Sequence, residues 1–392
     1  MSDLPRVYLD HNATSPLRPE AAEAMRRAMA SAVGNPASLH AEGRAARAVV
    51  EQAREDVAAL VGVSQKEIVF TSGGSEAIAA AVHGVCDRAP TALRRIVVSS
   101  VEHSSVLEAA RLAGRQGFQL IKVACDAEGR IAAERFTEQL LPGTALACLQ
   151  WANNETGVLQ PVEDVGRACR RAGIPLLVDA VQAAGKVPLE PWRALADLVA
   201  LSAHKFGGPP GVGALAVREG IVLAPLIGGG AQEKRRRAGT PALHALAGFG
   251  SAARCARERL RPEAERLLRL RAKIETRLRQ LFPGIRFHGQ AAPRLANTVS
   301  FALPNVSGEV LAIALDLAGV AVSTGSACAS GAVEPSHVIQ AMGFDEGEAR
   351  GAVRISMGWS TSASEVERCL ATLPEIVERI RGRPAAGAPP VG

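Results

Sequence analysis

Aromatic side chains are nearly missing from this chain: phenylalanine, tyrosine and tryptophan make up 3% of its 392 residues, with a single tyrosine. Stacking surfaces for nucleobases are therefore few, which argues against a reader of nucleic acid. Cys-x-x-Cys spacing is missing too, and the seven cysteines (86, 125, 148, 169, 255, 328 and 369) are odd in number and dispersed. Neither a zinc site nor a disulfide framework is implied. No His-Glu-x-x-His segment offers a metal site, and no repeat marks a solenoid. Nothing approaches the roughly 18 consecutive apolar residues of a membrane span, and Asp3 and Asp10 stand where a secretory leader would be apolar. The expectation is a cytoplasmic protein with no membrane and no nucleic-acid partner.

Net charge is +6, and the only dense basic run is Lys234-Arg235-Arg236-Arg237. A solvated surface is the default explanation, with anionic ligands or an acidic partner protein as the alternatives. The 47% hydrophobic content, carried mainly by aliphatic residues, indicates a globular chain whose length suits one large domain and one smaller one.

The chemistry begins at two apolar segments that end abruptly in polar residues. Ala196-Asp197-Leu198-Val199-Ala200-Leu201 runs into Ser202-Ala203-His204-Lys205, and Pro175-Leu176-Leu177-Val178 ends at Asp179. Buried strands that stop this way place their last side chains at the rim of a sheet, where open α/β sheets bind ligands. A half-desolvated lysine there favours its neutral amine, which can form a Schiff base with pyridoxal phosphate. That cofactor also needs a carboxylate at its ring nitrogen, and Asp179 supplies one. The bland reading, a surface lysine after a buried strand, is weakened by the paired aspartate.

Other strand-to-helix junctions add candidates with a bland and a functional reading each. Thr71-Ser72-Gly73-Gly74-Ser75 opens an alanine-rich helix; its free N–H groups suit a phosphate, or Ser75 is an ordinary N-cap. His103 in Glu102-His103-Ser104 either stacks on a flat cofactor and moves protons or merely caps a helix. Asn35 before Pro36 is a turn former or a ligand contact. The strand 145–150 ends in Asn153-Asn154-Glu155, and Gln182 follows Asp179 closely, so their amides could reach the cofactor. Arg354 is an edge charge or the fork for a substrate carboxylate. The strand–helix alternation predicts a mainly parallel sheet with helices on both faces, followed by a smaller α+β unit. An amphipathic helix is expected over 44–61, closed by Gly62, and helices run from Thr240 to Leu281.

Within Ser323-Thr324-Gly325-Ser326-Ala327-Cys328-Ala329-Ser330-Gly331 every side chain but the thiol is small. A nucleophilic cysteine on a pliable loop fits this setting, and it could attack a sulfur at the β-position of a bound amino acid.

Taken together these stretches resemble the cysteine desulfurases of the nitrogen-fixation and iron–sulfur assembly type, in the class V aminotransferase family. The likeness runs through Tyr8-Leu9-Asp10 with Ala13-Thr14, Gly34-Asn35-Pro36-Ala37-Ser38, Phe70-Thr71-Ser72-Gly73, Glu102-His103, Asn153-Asn154-Glu155, Val178-Asp179-Ala180 with Gln182, Ser202-Ala203-His204-Lys205, Arg237-Ala238-Gly239-Thr240 and Gly325-Ser326-Ala327-Cys328. It implies a pyridoxal-phosphate fold of type I, aspartate-aminotransferase-like, with a large cofactor domain over 15–262 and a small domain from 1–14 and 263–392. It also implies a homodimer that turns L-cysteine into L-alanine and leaves a persulfide on Cys328, to be collected by a sulfur acceptor or iron–sulfur scaffold protein. By matching motif, Lys205 would hold the cofactor, His103 would stack on its ring, and Asp179 would pair the ring nitrogen. Asn154 and Gln182 would address the ring oxygen. Gly74, Ser75, Ser202 and His204 would bind the phosphate, with Thr240 given by the other subunit. Asn35 and Arg354 would hold the substrate carboxylate. No intrinsic metal is implied, though Cys328 could touch an iron–sulfur cluster transiently.

Three positions depart from the pattern: His11-Asn12 replaces a commoner Asn-Ala or similar pair, Arg235 stands where glycine is usual, and Trp359 replaces a basic or small residue. The chain also ends without the longer tail of the housekeeping members, which tilts the expectation towards the nitrogen-fixation branch. The rival readings are a selenocysteine lyase or another class V enzyme, for which a mobile thiol is unnecessary, and a non-catalytic sulfur-carrier scaffold, for which Lys205 and Asp179 are unnecessary.

Overall fold

The computed structural model describes residues 5–31, 34–189, 195–324 and 334–382; Cys328 lies outside them. Its strands, numbered along the chain, are β1 Val7–Tyr8, β2 Ile68–Thr71, β3 Arg95–Ser99, β4 Gln119–Val123, β5 Thr144–Gln150, β6 Leu176–Asp179, β7 Leu198–Ser202, β8 Gly213–Val217, β9 Arg286–Phe287, β10 Thr298–Ala302, β11 Val320–Ala321, β12 Ser323–Thr324 and β13 Ala352–Ser356. Seven of them form a sheet in the order β2-β8-β7-β6-β5-β3-β4. β8 is antiparallel to both neighbours, and the remaining pairs are parallel.

Every residue of β5, β6, β7 and β8 is buried, as a sheet covered on both faces requires. Alternation along each strand sorts the side chains. In β5, Ala147 and Leu149 pack with residues of the helices Ala41–Val61, Val162–Ala172 and Leu243–Glu258, whereas Leu146 and Cys148 pack with Gly74–Cys86 and Ser104–Ala113. The mainly parallel, two-faced sheet is thus the one the sequence pattern implies. The reversed β8 was not legible, because a wholly buried strand reads the same in either direction. Gly62 ends the Ala41–Val61 helix in the left-handed region at φ 71°, its N–H bonded to Ala58 O.

The second sheet, β12-β13-β10-β9, is antiparallel throughout. Helices Leu260–Leu281, Gly308–Leu317 and Ala363–Arg381 close its core, and Val7 and Leu9 join it from the far end of the chain. β1 pairs with β11, and Asp10 bridges to Ser356 of β13. Two residues later the N-terminal segment reaches the turn that follows β6 of the large sheet, where Asn12 O accepts a hydrogen bond from Gln182 Nε2. Residues 10–12 therefore pass directly from one sheet to that turn of the other.

Candidate active site

The strands deliver their polar last residues to one edge. β6 ends at Asp179, β7 at Ser202, and β5 at Gln150; the turns after β2 and β3 lead to Gly74 and His103. Gly74, Ser75, His103, Asn154, Asp179, Gln182, Ser202, His204 and Lys205 all line a single cleft, together with Ile78, Ser105, Gln150, Ala152 and Val181. That is the edge at which parallel sheets bind ligands. Lys205, at the end of a short turn after β7, donates from Nζ to Asn12 O at 2.7 Å and Ala13 O at 2.8 Å. Burial lowers its pKa to about 8, with Arg354 pushing the same way and Asp179 and Asp10 opposing. Roughly a tenth of the amine is therefore neutral and nucleophilic at pH 7, far more than of an ordinary lysine.

Asp179 is buried, and desolvation raises its pKa against the pull of His103 and Lys205; its Oδ1 accepts from Val181 N at 2.9 Å. A carboxylate so placed is stabilised in its ionised form by a cation within the cleft. His103 both caps and lines: its Nδ1 accepts from Ser105 N at 3.2 Å at the start of helix Ser104–Ala113, while the ring faces the cleft. Its surroundings depress its pKa by desolvation, Asp179 working in the opposite direction. Burial likewise lowers His204 to about 4, and its Nδ1 lies 3.1 Å from Thr14 Oγ1. His204 is thus neutral at pH 7.

Gly73, not Ser75, stands at the N-cap of the helix Gly74–Cys86, and no side chain among the described residues caps it. The first N–H groups of that helix, beside Ser75 and Ser202, suit an anion. A Cβ on Gly74 would come within 2.7 Å of Val181 Cγ2, so the close backbone approach here calls for glycine. An amine for a Schiff base, a buried carboxylate for a ring nitrogen and an uncapped helix start for a phosphate are the complement of pyridoxal phosphate, and the cleft fits it.

Arg354 is buried in β13; it donates from Nη1 to Asn154 O at 2.9 Å and pairs through Nη2 with Asp10 at 2.7 Å. Two expected residues stand elsewhere. Asn35 sits in an exposed turn, its Oδ1 accepting from Ala37 N at 2.9 Å, and lines a different cavity with Gln232, Glu233 and Pro241. Thr240, beside Pro241, is exposed and does not reach this chain's cleft.

Sequence reasoning missed Asn12, fully buried, whose every polar atom is engaged. Its N donates to Ser356 Oγ at 3.0 Å; its O accepts from Gln182 and Lys205; its Nδ2 donates to Asn154 O at 3.1 Å and Thr298 Oγ1 at 2.9 Å. Its Oδ1 accepts from Lys186 Nζ at 3.1 Å and Asn297 Nδ2 at 3.0 Å. Glu102 was missed as well: it is buried under the cleft, takes hydrogen bonds from Ser99 Oγ and from Gln150 N, and is raised by burial to about 8. A bare Asp-His-Asn-Ala string carries no sign of partners that lie some 140 to 345 residues away.

Residues 7–369 match the family model described as aminotransferase class-V. A cysteine desulfurase of Cereibacter sphaeroides is 43% identical over 385 residues, covering 98% of this chain and 98% of that protein. The chain belongs to the class-V aminotransferase family, among its cysteine desulfurases. Another relative, the cysteine desulfurase of Bradyrhizobium diazoefficiens, is 42% identical over 382 residues, 96% of this chain and 95% of that one. Among solved structures, a NifS-like protein superposes with a TM-score of 0.89 at 35% identity, covering 95% of this chain and all of its own. A structure titled "SspA in complex with cysteine" gives 0.80 at 30% identity, with 90% and 98% covered. This class-V member accordingly has pyridoxal-phosphate fold type I and is a pyridoxal-phosphate-dependent enzyme.

Proposed function

We propose that this enzyme removes sulfur from L-cysteine, releases L-alanine, and holds the sulfur on Cys328 as a persulfide for an iron–sulfur assembly acceptor. The observation that carries the reading is the convergence of Lys205, Asp179 and His103 on one cleft, in a chain similar along almost its whole length to cysteine desulfurases. Bound pyridoxal phosphate supplies an electron sink for the bond broken at the amino acid's Cα. Lys205 would hold it, and its amine would carry the Cα proton. Asp179 would pair the ring nitrogen, and His103 would cover the ring and assist proton transfer. Gly74, Ser75, Ser202 and His204 hold the phosphate; Asn154 and Gln182 meet the ring oxygen.

Arg354 and Asn35 hold the substrate carboxylate. Asn35 and Pro241, next to Thr240, line one cavity away from the cleft. Both would act only on a neighbouring copy's cleft, and this favours a homodimer. The domain division at 14/15 and 262/263 is part of the same proposal; Leu267, the first residue of helix Leu260–Leu281 in the second core, lies just beyond it. Free cysteines at the described positions favour the cytoplasm. The test is incubation of the cofactor-loaded enzyme with L-cysteine: alanine forms, and the peptide carrying Cys328 gains one sulfur by mass spectrometry. A loaded enzyme that forms no alanine overturns the assignment.

A further inference from the structure

Lys205 separates two cavities. One is the cofactor cleft, lined by Gln182; the other lies behind it and is lined by Lys186, His11, Arg18 and Asn297. Lys186 Nζ reaches between them to Gln182 Oε1 at 2.6 Å and Asn12 Oδ1 at 3.1 Å.

The orientation of both amides is fixed by acceptors that cannot change role. Gln182 Nε2 faces the main-chain oxygen of Asn12 at 2.8 Å, which can only accept, so Gln182 Oε1 must be the atom turned to Lys186. Asn12 Nδ2 faces the main-chain oxygen of Asn154, so Asn12 Oδ1 is likewise turned to Lys186. Lys186 must therefore donate twice, and an amine does so whether or not it carries the third proton. Burial pushes its pKa well below the usual lysine range, with Lys205 and Arg354 adding to the effect. Without Lys186, two buried carbonyl oxygens would lose a donor, and the Gln182 amide would be held at one end only, by its bond to Asn12 O.

We propose that Lys186 is a positioning residue, which anchors Gln182 Oε1 while Asn12 O holds Nε2, so that the amide is fixed at both ends with its N–H edge towards the ring oxygen of the cofactor. The inference rests on the pyridoxal-phosphate reading above. Gln182 Nε2 spends one hydrogen on Asn12 O and keeps the second for the cleft. A donor at that place favours the ionised ring oxygen, so its loss shows as a changed titration of the cofactor's visible band.

The test uses the full chain reconstituted with pyridoxal phosphate, its visible band titrated against pH. Lys205, Asp179, His103 and His204, the other titratable groups among the described residues lining the cleft, and Asp10 and Arg354, whose charges act on Lys205, are common to all variants. Lys186→Met and Gln182→Met are each expected to move the midpoint upward by about one pH unit, and the double variant no further than Gln182→Met alone. Lys186→Arg, which keeps the donors, is expected to titrate with wild type. A Lys186→Met protein that titrates with wild type overturns the proposal, as does a shift that adds to that of Gln182→Met. Should Lys186→Met not fold, Lys186→Gln, too short to reach both oxygens, takes its place with the same two outcomes. Wild-type protein that takes up no cofactor at all sinks the pyridoxal-phosphate reading instead.

Discussion

Arg354 Nη2 lies 2.7 Å from Asp10 Oδ1, so the arginine proposed for the substrate carboxylate already holds a carboxylate of its own chain. Its Nη1 donates to Asn154 O, and its buried Nε has no hydrogen-bond partner among the described residues. The guanidinium plane is thus set before substrate arrives, with two of its five N–H donors engaged. Replacing it by lysine keeps the charge but loses the planar fork. Arg354→Lys is expected to raise the KM for L-cysteine about 10- to 100-fold with a smaller change in kcat, the loss of one or two charge-assisted hydrogen bonds. An unchanged KM in steady-state kinetics would remove Arg354 from substrate binding.

The lowered pKa of Lys205, about 8, predicts how the apo chain captures its cofactor. Only the neutral amine attacks an aldehyde, and it is protonated below its pKa. The rate of capture is therefore expected to rise with pH and level off above about 8, well short of the 10.4 or so of an ordinary lysine. Stopped-flow growth of the visible band at several pH values measures the midpoint. A midpoint near 10 would mean that the cleft does not desolvate the amine.

Much of this site could be read from sequence because a buried strand stops where its side chains turn polar. Asp179, Ser202, His204 and Lys205 announce themselves in that way, and so does Gly74 at a helix start. Asn35 and Thr240 were legible as motifs but not as places, since each stands in a loop away from this chain's cleft. Asn12 and Lys186 were illegible for a different reason. Their significance comes from register between sheets: Asn12 meets Thr298 and Ser356 only because β10 and β13 pair side by side and Asp10 bridges to the latter. No local pattern encodes that meeting.

Cys328 separates sulfur transfer from cofactor chemistry. Cys328→Ala leaves Lys205, Asp179 and His103 intact, so the protein is expected to keep its visible band and to change colour on adding cysteine. Alanine and sulfide production should fall by about a thousandfold or more, the usual loss on removing a covalent nucleophile. Sulfide release at the wild-type rate by this variant would exclude Cys328 as the sulfur acceptor.

The loop leading to Thr240 contains three successive residues in the left-handed region without a glycine: Glu233 at φ 44°, Lys234 at 56° and Arg235 at 65°. Each is disfavoured by about 1–2 kcal/mol, so something must hold the turn. Glu233, its side chain 6% exposed, accepts from Arg54 Nη2 at 2.7 Å and Nη1 at 2.8 Å and from Phe70 N at 2.9 Å, while the Arg54 guanidinium lies over the Phe70 ring. Removing Glu233 leaves Arg54 with the Glu51 contact at 3.4 Å and its bond to Ile68 O, and takes away the charge-assisted hydrogen bonds, so Glu233→Ala is expected to cost about 1.5–3 kcal/mol. Arg235→Gly acts in the other direction. Glycine relieves the backbone penalty at φ 65°, and the greater freedom of the unfolded chain returns about 0.4–1 kcal/mol of it. The net is a gain of about 0.5–1 kcal/mol, a rise in Tm of about 1–2 °C for a chain of this size. Denaturant unfolding of the two variants beside wild type measures both, and an Arg235→Gly protein less stable than wild type would show that the side chain of Arg235 stabilises the loop by more than its backbone strains it.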